Sequence, residues 1–77
     1  MTSNTETIFI PLLDEGTPVL RPTQGVPLGG NRYKVLATSN YGASGEHWKY
    51  PPGSVVLGLA EVRNGEKIIV AQALVSD

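Results

Sequence analysis

Glycine and proline recur so closely along this chain of 77 residues that few stretches are long enough for a helix. The sequence holds nine glycines and six prolines. Proline removes a backbone donor and fixes φ, and glycine weakens the interior of a regular element. The stretches between them are rich in β-branched and aromatic residues. The spacing therefore predicts short strands joined by tight turns.

Three turns are predicted from their residue types. Asn64-Gly65 lies between two apolar runs and predicts a type I′ hairpin turn. Pro52-Gly53 favours a type II turn, with proline at the first central position. Gly29 to Asn31 is a third tight turn, because its residues tolerate positive φ.

The segments between these turns predict five to six strands. Pro11 indicates that the first strand lies at an edge or that its pairing ends there, and the three prolines of the second suggest an irregular or bulged edge strand. Tyr33 and Val35 alternate with polar residues, as in a half-buried strand. The predicted strands are 7–13, 18–28, 32–38, 47–50, 54–63 and 66–75.

The last of these segments leaves an alternative open. Ala71 to Leu74 are acceptable in a helix, whereas the β-branched Ile68 to Val70 and the hairpin turn before them favour a strand. With that strand, the chain is predicted to be all-β, a small SH3-like barrel or a sandwich of five to six short strands.

Length and composition predict one domain that is stabilised by packing alone. Residues 1–6 form a polar, flexible N-terminal tail, and residues 7–77 form a single small β domain. The sequence contains no cysteine, which excludes disulfides, thiolate chemistry and cysteine-based zinc sites.

The charge balance is close to neutral, with six Lys and Arg against seven Asp and Glu. Nucleic-acid binding normally requires clustered basic residues, so a nucleic-acid partner is disfavoured. We find neither a signal peptide pattern nor an apolar stretch that could span a membrane. The expected location is the cytoplasm, with no membrane partner.

The stretch HWKYPPGSVV concentrates unusual residues immediately before an apolar strand. Trp48 and Tyr50 lie two positions apart on an extended segment, hence on one face. That face is either a platform that stacks on bases or prolines, or the cover of a small hydrophobic core. Because the domain is small and has a single Trp, core packing is favoured.

The titratable side chains offer no complete catalytic or metal-binding group. His47 lacks a nucleophile and an orienting carboxylate at a suitable spacing. Asp14 and Glu15 are interpreted as solvated turn residues. Arg21 is a candidate for anion binding or aromatic stacking, the alternative being a salt bridge to Glu15. The sequence therefore predicts no enzyme, cofactor or metal site.

The C-terminal hairpin is apolar on both of its faces. On the first strand Val56, Gly58, Ala60 and Val62 alternate with Val55, Leu57 and Leu59. On the second strand Ile69, Ala71, Ala73 and Val75 alternate with Ile68, Val70 and Leu74. A small barrel has one interior, so a second apolar face predicts an interface. We expect a homodimer joined through Leu57 and Leu59, the alternative being that a helix or the segment 7–13 covers this face within one chain.

Three segments, EGTPVLRP, GGNRYKV and EHWKYPPGSVV, resemble a group of short bacterial proteins of unknown function. Their shared pattern is EGT-x-V-x-RP, then G-x-Y-x-V, then E-x-W-x-aromatic before a Pro-Gly turn and Val-Val. The chain departs from that pattern at Leu20, where an aromatic is expected, and at Leu57, where a polar residue is expected. The resemblance implies a small β fold and no activity. Matching positions are Glu15, Gly16, Thr17, Val19, Arg21, Pro22, Tyr33, Val35, Glu46, Trp48, Tyr50, Pro52, Gly53, Val55 and Val56.

These observations predict a non-enzymatic binding or interaction module that self-associates or binds an unidentified protein. The candidate interaction residues are Arg21, Trp48, Tyr50, Leu57 and Leu59. The alternative is a small barrel that binds single-stranded nucleic acid through its aromatic and basic side chains.

Overall fold

The structure, a computed structural model, describes residues 4–13, 16–17, 19–39, 41, 45 and 47–76. Within these ranges the chain is all-β and has no helix, as the sequence predicts. The segment from residue 66 is a strand, so the helical alternative is wrong. The strands are β1 (Glu6–Leu13), β2 (Leu20–Gly29), β3 (Arg32–Val35), β4 (His47–Trp48), β5 (Val55–Arg63) and β6 (Glu66–Ser76).

Five of the strands close into a small barrel. The hydrogen-bonded order is β2-β3-β5-β6-β1, and β1 also pairs with β2, which completes the ring. An up-and-down meander of five strands brings its first and last strands together in the same direction. Accordingly β1 and β6 are parallel, and a single pair, Phe9 with Val70, joins them. The two-residue β4 extends the sheet at the end of β1.

The turn chemistry predicted from the sequence is confirmed at all three turns. Gly29, Gly30 and Asn31 have φ angles of 87°, 62° and 65°. Asn64 and Gly65 have φ angles of 51° and 81°, and a type I′ turn requires positive φ at both central positions. Gly53 has φ 93°, as the second central residue of a type II turn does. In that turn the Ser54 amide donates to the Pro51 carbonyl at 3.1 Å.

Strand β2 accommodates its prolines because each half of it has one partner. The first half, which contains Pro22, pairs with β1, and the second half, which contains Pro27, pairs with β3. Each proline therefore has one side without a neighbouring strand, and on that side no backbone N–H is needed for a hydrogen bond. The predicted irregularity is present as a register shift between Pro27 and Gly29.

The core occupies the inside of the barrel. Ile8, Ile10, Val35 and Val56 are its fully buried large side chains. Tyr33 packs among them, and a Cβ on Gly58 would lie 2.9 Å from its ring. The missing side chain at position 58 thus lets the tyrosine ring rest on the β5 backbone.

At the N terminus, β1 begins at Glu6, one residue before the predicted start of the domain. The Thr5 hydroxyl also donates to Gln24 Oε1 at 2.9 Å. Residues 1–3 of the predicted tail lie outside the described residues, as do Asp14 and Glu15.

Candidate interaction surface

Trp48 and Tyr50 are core residues and do not form an exposed stacking platform. Their side chains are 5% and 7% exposed. Trp48 packs edge-on against Tyr41, with ring centroids 4.8 Å apart and an interplanar angle of 74°. Of the two alternatives for these aromatics, their burial agrees with core packing, which the sequence favours. The physical reason is that the barrel end needs large side chains to close it.

The short segment 47–50 is held in place by β1 and β6. The Lys49 amide donates to the Pro11 carbonyl at 2.9 Å, which turns the flanking side chains Trp48 and Tyr50 toward the core. The Tyr50 hydroxyl donates to the Gln72 carbonyl at 3.0 Å. The Gln72 carbonyl lies beyond Val70, the one β6 residue that pairs with β1. The Tyr50 hydroxyl therefore supplies the hydrogen-bond donor that the backbone of a neighbouring strand would otherwise supply.

Arg21 is exposed and lies opposite Ile10 in the β1–β2 ladder. Its proposed salt-bridge partner Glu15 lies outside the described residues. Arg21 is on β2, which pairs with β1 and β3, whereas Leu57 and Leu59 are on β5. The strand pairing therefore does not bring Arg21 next to these leucines.

His47 is exposed and lies opposite Leu13 in the short β1–β4 ladder. The carboxylates with which it could act, Asp14 and Glu15, fall outside the described part of the chain. Within that part, no group of three His, Cys, Asp or Glu side chains could hold a metal ion.

Leu57 and Leu59 lie on the outer face of β5. The alternate residues Val56 and Gly58 face the interior and are buried. Leu57 is half-buried, whereas Leu59 is 43% exposed. The predicted alternation of β5 is therefore confirmed from Val56 to Leu59, whereas Ala60 and Val62, which share the inward face in the prediction, are exposed, Val62 by 74%.

A bulge in β6 changes which of its residues lie on this outer face. Leu57 pairs with Ala73, but Gly58 pairs with Ala71, so Gln72 is an extra residue in β6. The bulge moves Ala73 to the side of Leu57, whereas strict alternation predicts that it shares a face with Ala71. The grouping predicted for β6 is thus wrong at Ala73 and Leu74.

Val70 is buried although it lies on the outer face. It pairs with Leu59 on one side and with Phe9 on the other, and it is 4% exposed. Gln72 Nε2 donates to Glu61 Oε2 at 2.7 Å, and this bond crosses the Leu59–Val70 pair diagonally. Val70 therefore lies between two paired strands and is buried, whereas Leu59 remains 43% exposed.

The charged side chains around this face are unevenly placed. Arg32 and Lys34 are exposed on β3, opposite Leu57 and Val55. Arg32 is fixed by a hydrogen bond from its Nε to the Gly29 carbonyl at 3.1 Å. At the other end of the face, Arg63 forms an ion pair with Glu61 at 3.0 Å.

We define the outer hairpin face as the outward side chains of β5 and β6 together with the two β3 residues beside them. Its apolar members lie between a basic end on β3 and the hairpin turn at residues 64–65. The face consists of Arg32, Lys34, Val55, Leu57, Leu59, Glu61, Arg63, Glu66, Ile68, Val70, Gln72 and Ala73.

A concavity of about 400 Å³ lies between β1, β2 and the segment after β3. The Thr23 hydroxyl on its wall donates to the Leu36 carbonyl at 2.6 Å. The lining is uncharged and offers hydroxyl and amide groups, so the concavity can donate and accept hydrogen bonds but has no acid–base group. It is lined by Thr7, Pro22, Thr23, Gln24, Ala37, Thr38 and Ser39.

No family model matches the sequence, and no curated protein or solved structure is significantly similar to it. The resemblance to short bacterial proteins therefore stays a prediction. In the part of the chain that the structure describes, no helix is long and apolar enough to cross a membrane.

Proposed function

We propose that this chain is a non-enzymatic interaction module, a small SH3-like barrel that self-associates as a homodimer through its outer hairpin face. The observation that supports the proposal is the exposure of Leu59 between the half-buried Leu57 and Ile68. Burying these side chains against the same side chains of a second copy would remove apolar surface from water in both chains.

The intramolecular alternative has no support among the described residues. Strand β1 would have to lie over the outer hairpin face to cover it. Instead β1 lies beside β6 in the same sheet, joined by the Phe9–Val70 pair. The described residues include no helix that could serve as a cover.

A pair of charged substitutions tests the proposal. Leu57→Glu combined with Leu59→Lys places charges at the centre of the interface, so we expect the dimer to dissociate by size-exclusion chromatography while the circular dichroism stays that of a β protein. The matched control is Leu13→Glu with Leu28→Lys, because these leucines are 45% and 44% exposed but lie on β1 and β2. Equal elution of both variants as dimers would contradict the proposal.

Binding of single-stranded nucleic acid is the second candidate function. The exposed Arg32 and Lys34 favour it, whereas the burial of Trp48 and Tyr50 removes the stacking groups that it needs. Electrophoretic titration with single-stranded DNA and RNA separates the two functions, since binding that weakens steeply with salt would support this candidate. We propose the cytoplasm as the location of the module.

A further inference from the structure

The distal part of the β5–β6 hairpin extends beyond the strands that flank it. Strand β3 pairs with β5 as far as Leu57, and β1 meets β6 at Val70. From Leu59 to Ile69 the described chain is thus a ribbon of two strands. Such a ribbon is marginally stable in water unless its apolar side packs against something.

The two ends of the outer hairpin face carry opposite charge. At the level of Val55 and Leu57, Lys34 and Arg32 give two positive charges. At the level of the turn, Glu61 and Glu66 outnumber Arg63. Four residues separate Leu57 from Glu61 along β5, which is about 13 Å. The face is therefore an apolar strip with a basic end and an acidic end.

We propose that the second copy lies antiparallel across this face, with the twofold axis passing near Leu59. This arrangement rests on the proposed self-association and specifies its geometry. A half-turn about Leu59 brings the level of Leu57 in one copy over the level of Glu61 in the other. Arg32 of each chain then faces Glu61 of the second copy.

The same rotation brings Lys34 of one copy to the level of the Arg63–Glu66 pair of the other, whose opposite charges cancel, so Arg32 and Glu61 make the main electrostatic contact. Since the axis is twofold, each of these contacts occurs twice in the dimer. With parallel strands and the axis along β5, the two basic side chains would instead lie over the end of β6 that pairs with Leu57 and Val55, where β6 carries no charged residue. The charge pattern thus favours the antiparallel arrangement.

The electrostatic contacts select the register more than they supply affinity. The charged side chains lie at the rim, where ion pairs are weak and screened by salt, while like charges placed face to face are strongly disfavoured. Wrong registers would place Arg32 and Lys34 of one copy near those of the other.

Two variants with exchanged charge test this geometry. One chain carries Arg32→Glu and Lys34→Glu, which makes both ends of the face acidic. The other carries Glu61→Lys and Glu66→Lys, which makes both ends basic. We expect each variant alone to be a monomer in sedimentation velocity, with its dissociation constant raised by roughly tenfold or more. We expect the equimolar mixture to form a heterodimer.

The matched control is Lys49→Glu with Lys67→Glu, which changes the net charge as much as the first variant does. Lys49 lies outside the hairpin, and Lys67 pairs with Val62 on the opposite side of β6 from the outer hairpin face. We expect this control to remain a dimer. Its dissociation would show that net charge, and not the pairing of the two ends, is responsible, and would overturn the inference.

Substitutions that remove a charge without reversing it test the same geometry if the charge-reversed chains fail to fold. Arg32→Gln with Lys34→Gln removes the basic end without adding repulsion. The screening length falls from about 30 Å at 0.01 M salt to about 3 Å at 1 M. We expect the unmodified dimer to weaken over this range and the glutamine variant to show a smaller change.

The outcomes separate this inference from the proposed function. If the unmodified chain is a dimer and the charge-exchanged chains dimerise alone as well as it does, the antiparallel arrangement is wrong and self-association stands. The same conclusion follows if the mixture yields no heterodimer. If the unmodified chain is a monomer at all concentrations, both proposals fail.

Discussion

At the scale of single residues, Tyr33 shows how burial and charge act on one side chain. Its ring lies in the core against the Gly58 backbone. Burial raises the pKa of Tyr33 above its ordinary value of 10.0, and the negative charge of Glu6 raises it further. The folded protein therefore holds the phenolic proton more tightly than the unfolded chain does.

This pKa shift predicts a loss of stability in alkali. Below pH 10.0 the phenol is protonated in both states, so the shift has no cost there. As the pH rises from 10.0 through the raised pKa, the unfolded chain loses its proton first and folding becomes less favourable. We expect Tyr33→Phe to reduce this alkaline decline, measured as the urea midpoint against pH. Identical slopes for both proteins above pH 10.0 would contradict the shift.

Trp48 gives a second prediction at this scale. Because it is the only Trp and is buried, the native emission maximum should be blue-shifted from that of the unfolded chain. We expect Trp48→Ala to lower the free energy of unfolding by about 3 to 5 kcal/mol, since it leaves a cavity at the barrel end. A native emission maximum equal to the unfolded one would show that Trp48 is in water.

The residue pattern predicts the burial of Tyr33, Val35 and Trp48, because alternation and size determine it. It does not predict which side chain satisfies which backbone group. The bond from Tyr50 to the Gln72 carbonyl depends on the place where β1 stops pairing with β6. That place is set by the closure of the barrel and has no local signal in the sequence.

At the scale of elements, strand β5 packs closely enough on β3 to require a glycine. A Cβ on Gly58 would lie 2.8 Å from Ile69 Cγ2 and 2.9 Å from the Tyr33 ring. We expect Gly58→Ala to destabilise the fold by roughly 1 to 3 kcal/mol, because the core must shift to admit a methyl group. Chemical denaturation measures the loss.

Gly16 is the matched control for this substitution. A Cβ there would meet no atom within 4 Å, and its φ is not in the positive range that disfavours other residues. Gly16→Ala should therefore leave the stability unchanged or raise it slightly. Equal losses at the two positions would show that the close approach of β3 and β5 is not the cause.

The turns and strand boundaries of the hairpin follow from sequence, since Asn64-Gly65 specifies its own geometry. The bulge at Gln72 does not, because no glycine or proline marks it. One extra residue exchanges the two faces of the strand beyond it, so the predicted apolar grouping fails at Ala73 and Leu74, before a second register shift opposite Val55 and Val56. The short β4 and the parallel closure are likewise properties of the assembled barrel.

At the scale of the whole molecule, a barrel of this size has one interior, and β5 and β6 carry more apolar side chains than that interior accepts. Val56 and Ala71 fill the inside, whereas Leu59 remains 43% exposed on the outer hairpin face. The sequence predicts this excess, because both faces of the hairpin are apolar. Only the structure shows that β1 lies beside β6 in the same sheet.

Sedimentation equilibrium of the unmodified chain at micromolar concentration tests self-association most directly. The chain has a mass of 8.2 kDa, so a dimer has twice that mass. We expect the dimer mass, with a shift toward the single-chain mass on dilution. A mass of 8.2 kDa throughout the micromolar range would contradict the interface on the outer hairpin face.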